Sequence, residues 1–188
     1  MKRIKLGVLI SGSGSNMEAL IKACDHQEFP AEVSCVITNN NKAPGLELAK
    51  KANIPSFIVQ DKPLDIGKID EVLMQYKVDL VCLAGFMKIL KADFLNKWND
   101  RVINIHPSLL PSFKGLNAQE QALKAGVKFA GCTVHYVTPE VDSGKIITQA
   151  VVPVLPSDNL QTLSERILIE EHKCYVEAVK LVALQLKN

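Results

Sequence analysis

The chain has 188 residues, 47% of them hydrophobic, and its 22 Lys plus Arg against 20 Asp plus Glu leave a net charge of +2. That length fits one domain, which buries roughly 70% of the surface exposed by its unfolded form. Scattered basic residues and an aromatic content of only 5% argue against a nucleic-acid partner, and no apolar run has the length that spans a membrane.

The chain opens on Ile4 to Ile10, a β-branched run entered directly from Met1 with no signal-peptide or transit-peptide character. A helical pattern follows over Met17 to Gln27, then a strand over Val33 to Thr38, and a helix over Pro44 to Lys51 with Pro44 suited to the first turn. The rhythm continues with Ser56 to Val59, a helix over about Asp65 to Tyr76, the apolar run Leu80 to Ala84 and the strand Val102 to Ile105. After a Pro-rich loop come a helix near Ala118 to Ala125, strands near Cys132 to Val137 and Ile146 to Val154, and a last helix over Leu160 to Leu186. Pro153 and Pro156 mark the entry to that helix rather than a linker, and there is no repeat, low-complexity segment or second domain. The prediction is an α/β, Rossmann-like, mainly parallel sheet with helices on both faces. The five cysteines (Cys24, Cys35, Cys82, Cys132, Cys174) form an odd set without a C-x-x-C pair, which reads as buried free thiols in a reducing, cytoplasmic compartment. A monomer and a homodimer are both compatible with the sequence.

Open α/β sheets bind ligands beyond the carboxyl ends of their strands, where strand order reverses. Ser11 to Asn16, Gly85 to Leu90 and Asn104 to Pro111 all leave strand ends. In the first, Gly12, Ser13, Gly14, Ser15 and Asn16 lead into a helix, and small residues there let backbone N–H groups approach an anion. Met17 occupies the place of a third glycine and no acid ends the second strand, so this is not a dinucleotide fingerprint, and without Gly-Lys-Ser/Thr it is not a P-loop. A tight turn with Ser15 or Asn16 capping the helix explains the same residues. In the third segment, Asn104 and His106 are two apart on a strand and share a face, an amide and an imidazole suited to an oxyanion and to proton transfer. The bland alternative is a histidine satisfied by backbone at the sheet rim.

Asp142 lies in a turn between strands, where an aspartate ordinarily caps its own backbone. Cys132 and His135, three apart on a strand, face opposite sides, which argues against a metal there. Ser108 is poorly aimed for a nucleophile beside His106, and Glu170-Glu171-His172 reads as a solvated helix face.

Taken together, Val8 to Asn16, Leu83 to Leu90, Asn104 to Pro111 and Gly131 to His135 through Asp142-Ser143-Gly144 resemble the phosphoribosylglycinamide formyltransferases, folate enzymes of purine synthesis. The resemblance covers nearly the whole chain and implies a single catalytic domain over 1–188. It also implies formyl transfer from 10-formyltetrahydrofolate, as co-substrate, to the amine of glycinamide ribonucleotide, through a tetrahedral intermediate and with no metal. It gives Asn104, His106 and Asp142 the catalytic roles, and Gly12 to Asn16 with Glu171 the ribonucleotide. Met87, Lys88, Ile89, Leu90, Asn104, Thr138, Pro139, Glu140 and Val141 fall to the folate, with Lys62 as a further basic contact. Lys88 stands where the family often has Arg, which weakens bidentate contacts but leaves the backbone role intact, and Val176 stands where a Pro is frequent. Methionyl-tRNA formyltransferase and formyltetrahydrofolate deformylase share the core but carry extra domains. The expectation here is neither of those, nor a silent phosphate-binding module of the same fold.

Overall fold

The computed structural model describes residues 3–187. Its elements in chain order are β1 (Ile4–Ile10), α1 (Ser15–Cys24), β2 (Ala31–Thr38), α2 (Gly45–Lys51), β3 (Ser56–Ile58), α3 (Ile66–Gln75) and β4 (Leu80–Leu83). There follow α4 (Ala92–Lys97), β5 (Val102–His106), α5 (Ala118–Ala125), β6 (Phe129–Tyr136), β7 (Ile146–Pro153) and α6 (Leu160–Gln185). The seven strands form one sheet in the order β3-β2-β1-β4-β5-β6-β7. All neighbours through β5 run parallel, while β6 and β7 are antiparallel additions.

The period-two alternation of strand side chains divides the core between two faces. Leu6, Val8 and Ile10 of β1, Leu80 and Cys82 of β4, and Ile103 and Ile105 of β5 pack with residues of α1, α5 and α6. Leu9, Val81, Leu83 and Val102 point the other way, against Ile69, Val72 and Leu73 of α3 and Phe94 and Leu95 of α4. Runs that are apolar at every position suit strands covered on both sides. This bears out the mainly parallel, doubly covered sheet expected from the sequence.

Boundaries differ where local geometry overrides pattern. Helix α1 begins at Ser15 because Gly14, at φ 76°, makes its N-cap, and it ends at Cys24, short of the expected Gln27. Strand β6 begins at Phe129, earlier than Cys132. Helix α4 was not expected at all: its six residues are too few for a clear 3.6-residue period. The last helix starts as anticipated, with Asn159 and Thr162 forming a capping box. All five cysteines are free and buried, and burial pushes the Cys24 and Cys35 thiols up to about 11 and about 12, far from a nucleophile's range.

Chain order reverses between β1, which leads outward to β2 and β3, and β4, which leads to β5. The crevice beyond their carboxyl ends is bridged by Ser11 N–H donating to the Gly85 carbonyl at 3.2 Å.

Candidate active site

At the end of β1, Gly12 and Ser13 are exposed while Gly14 and Asn16 are buried. Neither Ser15 nor Asn16 caps α1, since the N-cap is Gly14 and no side chain bonds there. The first-turn N–H groups therefore keep their donor capacity toward the loop, at the positive end of the helix. A Cβ on Gly14 would lie 3.0 Å from the Gly45 Cα besides requiring a positive φ, whereas one on Gly12 would meet nothing within 4 Å. Gly14 is thus demanded by the fold, and Gly12 is free to serve a ligand.

Asn16 donates from Nδ2 to Glu171 Oε2 at 2.7 Å. Glu171 is only 8% exposed, so the solvated-face expectation fails for this residue, while neighbouring Glu170 is half-buried and pairs with Lys173 at 2.7 Å. Burial raises the Glu171 carboxyl above its ordinary range, against the opposing bond from Asn16. The Oδ1 atom of Asn16 is buried without a partner, an acceptor that needs a donor from elsewhere. Asn16 and Glu171 line a cleft of about 380 Å³ together with Gly85, Met87, Ile105 and Pro107. A larger hollow of about 550 Å³ beside α2 and the edge strand β3 contains none of the expected site residues. The smaller cleft is the one at the switch point.

On β5, Ile103 and Ile105 enter one core face, which turns Asn104 and His106 together toward the other. His106 is 5% exposed. Its Nδ1 lies 3.2 Å from Asp142 Oδ2 and its Nε2 lies 2.8 Å from the Phe113 carbonyl oxygen. Both neighbours are acceptors, so only a ring with hydrogen on both nitrogens satisfies both contacts. The rim-histidine alternative is thus half right, since one nitrogen does meet backbone, but the other meets a carboxylate.

Asp142 reaches this place through a constrained turn. It sits at φ 49°, and Gly115 N–H donates to its Oδ2 at 2.8 Å. Two residues on, a Cβ at Gly144 would stand 1.7 Å from the Tyr136 carbonyl oxygen, an approach only glycine permits. Burial by itself would raise the Asp142 carboxyl, but His135, the Gly115 N–H and His106 outweigh it and hold the group below its ordinary range.

The sequence weighed His135 only as a metal ligand, and among the described residues no cluster of metal-binding groups exists. Instead, His135 faces Asn104 across the β5–β6 ladder. Its Nε2 lies 3.4 Å from Asn104 Nδ2 and 3.5 Å from Asp142 Oδ1, and its Nδ1 meets the Tyr136 carbonyl at 2.9 Å. It belongs to the cluster, and only strand pairing could reveal that. Ser108 directs its hydroxyl to the Ser112 carbonyl, so it braces the loop and attacks nothing.

The remaining expected positions form a looser rim. Met87 and Ile89 are 69% and 76% exposed, whereas Leu90 is buried. Lys88 pairs with Asp61 at 2.9 Å. Lys62 is exposed and makes no salt bridge among the described residues; its neighbour Asp61 is the residue that reaches the Met87–Leu90 segment. Thr138 donates to the Glu140 carbonyl at 3.0 Å, Pro139 and Glu140 are exposed, and Val141 is 49% exposed. Apolar groups standing in water beside a polar cluster suit a ligand with a flat apolar body.

The formyl transferase family model matches residues 4–179. The trifunctional purine biosynthetic protein adenosine-3 of Bos taurus is 49% identical over 97% of this chain, although the chain spans only 18% of that protein's length. The phosphoribosylglycinamide formyltransferase of Haemophilus influenzae is 40% identical, covering 94% of this chain and 85% of its own. The crystal structure of the phosphoribosylglycinamide formyltransferase from Anaplasma phagocytophilum superposes with a TM-score of 0.96 at 59% identity, over 98% of this chain and 88% of that one.

Proposed function

We propose that this chain, which belongs to the formyl transferase family, transfers the formyl group of 10-formyltetrahydrofolate to the amine of glycinamide ribonucleotide. The observation that carries the reading is His106, held by acceptors on both nitrogens beside Asn104, at a strand end adjoining an uncapped helix N-terminus. An oxyanion donor set and an anion cradle on one rim suit acyl transfer to a phosphorylated amine.

In this reading Gly12 to Asn16 hold the phosphate and Glu171 with Asn16 Oδ1 receive the sugar's hydrogen-bond donors. The exposed Met87, Ile89 and Val141 cover the pterin-bearing substrate. Bound together, the neutral amine stands against the formyl carbon, and positioning helps because an α-amino group has an ordinary pKa of about 8 and is mostly protonated near neutrality. Attack forms the new C–N bond and places a negative charge on the formyl oxygen. Asn104 donates from its amide, and His106 shifts its Nε2–H from the Phe113 carbonyl to that oxygen, because a full charge is the stronger acceptor. Asp142 holds the ring through its Nδ1 and relays the amine's proton through water. Collapse breaks the bond to the folate nitrogen, which takes that proton and leaves tetrahydrofolate.

The test is stoichiometric. Purified protein should consume 10-formyltetrahydrofolate only when glycinamide ribonucleotide is supplied, one equivalent for each equivalent formylated. Steady consumption without the amine would make water the acceptor and overturn the transferase reading.

A further inference from the structure

Beyond the carboxyl ends of β1 to β4, the side chains of Ser11, Asn39, Asp61 and Lys88, of which only Lys88 is among the expected folate contacts, close into a ring. Met87 N–H donates to Ser11 Oγ at 2.9 Å, and the Ser11 hydroxyl donates to Asn39 Oδ1 at 2.6 Å. Asn39 Nδ2 donates to Asp61 Oδ1 at 2.7 Å, and Lys88 Nζ meets the same oxygen at 2.9 Å. Since Lys88 follows Met87, the circuit closes on itself. A parallel tie comes from Asn40, whose Nδ2 donates to the Ser11 carbonyl at 3.0 Å.

The directions are forced. Ser11 already accepts from Met87 N–H, so its single hydrogen goes to Asn39 Oδ1, which turns the amide NH2 toward Asp61. Reversing that amide would set an oxygen against a carboxylate. Lys88, then Asn39, hold the Asp61 carboxyl below its ordinary range, so the acceptor stays ionised near neutrality. Ser11, Asn39, Asp61 and Lys88 are all half-buried at the rim.

What the ring does join is distinctive. Ser11 immediately precedes the Gly12–Asn16 loop, and Met87 and Lys88 open the Met87–Leu90 segment, whose Met87 and Ile89 are exposed. We propose that Ser11, Asn39, Asp61 and Lys88 form a positioning brace that fixes the distance between the anion loop and the Met87–Leu90 segment, and so between the two reacting substrates. The inference rests on the formyl-transfer reading. A brace of this kind raises the frequency of reactive alignment rather than the affinity for either partner, and displacement of about 1 Å costs on the order of a hundredfold in rate.

The experiment compares Ser11→Ala, Asn39→Ala and Asp61→Ala with the parent. It measures kcat at saturation, the Kd of glycinamide ribonucleotide and of a non-reactive folate analogue separately, and thermal midpoint. The expected result is a ten- to hundredfold fall in kcat, on the order expected for lost alignment, with each separate Kd changed less than about threefold. Ser11→Thr, which keeps the hydroxyl, recovers most of the loss seen in Ser11→Ala. Unchanged kcat overturns the brace, and so does a parallel decline of kcat, both affinities and thermal midpoint, which marks a merely structural role. If Asn39→Ala does not fold, the Ser11 pair and the rim variant Asp61→Ala decide the matter. A parent protein without amine-dependent turnover would refute the reading itself, whereas an active parent with fully active variants refutes only the brace.

Discussion

The Gly12–Asn16 loop and the His106–Asp142 contact share one rim of the sheet and are built in opposite ways. Consecutive residues, Gly12 to Asn16, make the loop, and its donors are backbone groups fixed by one left-handed glycine and a helix start. The second region takes Asn104 and His106 from β5, His135 from β6, and Asp142 from a strained turn, and joins them by side-chain contacts of 3.2 to 3.5 Å. A backbone site is robust to side-chain identity but sensitive to φ and to steric access. A side-chain cluster is sensitive to single atoms, because each donor or acceptor removed leaves a buried partner unsatisfied.

The sharpest way to separate the two is to remove one group at a time from the cluster. His106→Ala should lower kcat by at least a hundredfold through lost stabilisation of the oxyanion, and Asn104→Ala by about 3 kcal/mol of barrier, with both ligands still bound in titrations. Asp142→Asn keeps the shape and removes the charge, so its rate should drop steeply and its pH–rate profile should move. The same variant tests linkage. Because the folded Asp142 carboxyl lies below its ordinary range, it adds stability above the unfolded value of about 3.9 and loses that contribution as pH falls through the depressed one. Acid unfolding of Asp142→Asn should therefore be less steep across that window; an unchanged pH–rate profile would remove the carboxylate from its assigned role.

The loop should respond differently at its two glycines. Gly14→Ala meets both a positive φ and the Gly45 backbone, so it should cost about 1–3 kcal/mol of stability. Gly12→Ala enters open space and should leave the thermal midpoint alone while weakening the ribonucleotide several-fold and the folate analogue hardly at all. Equal losses for both ligands would mean that the loop only supports the fold.

The smallest effect should come from Glu171, where the two construction principles meet. Its carboxyl is raised by burial, so folding is favoured most below the unfolded value of about 4.3, and stability is lost as pH rises through the raised one. Glu171→Gln should then gain up to about 1 kcal/mol of stability at neutral pH while weakening the ribonucleotide, a trade common at binding sites. Chemical denaturation at two pH values checks it, and a loss of stability would mean that the Asn16–Glu171 bond outweighs the burial cost.

By itself, the sequence determined the alternation of strands and helices, the double covering of the sheet and the strand ends from which ligand loops leave. These follow from periodicity and from small residues at β–α junctions, both local properties of the chain. Asn104 and His106 were legible as a pair because a strand puts every second side chain on one face. The short helix α4 was not, having too few residues to show a period. Resemblance supplied Asp142 and Glu171 as site residues, but not their surroundings. Only the tertiary structure brought His135 opposite Asn104, placed the Phe113 carbonyl on His106, buried Glu171 against Asn16, and closed Ser11, Asn39, Asp61 and Lys88 into one circuit. Those contacts depend on which strand pairs with which, on antiparallel register, and on turns held at positive φ, and none of these leaves a periodic mark on the residues that make them.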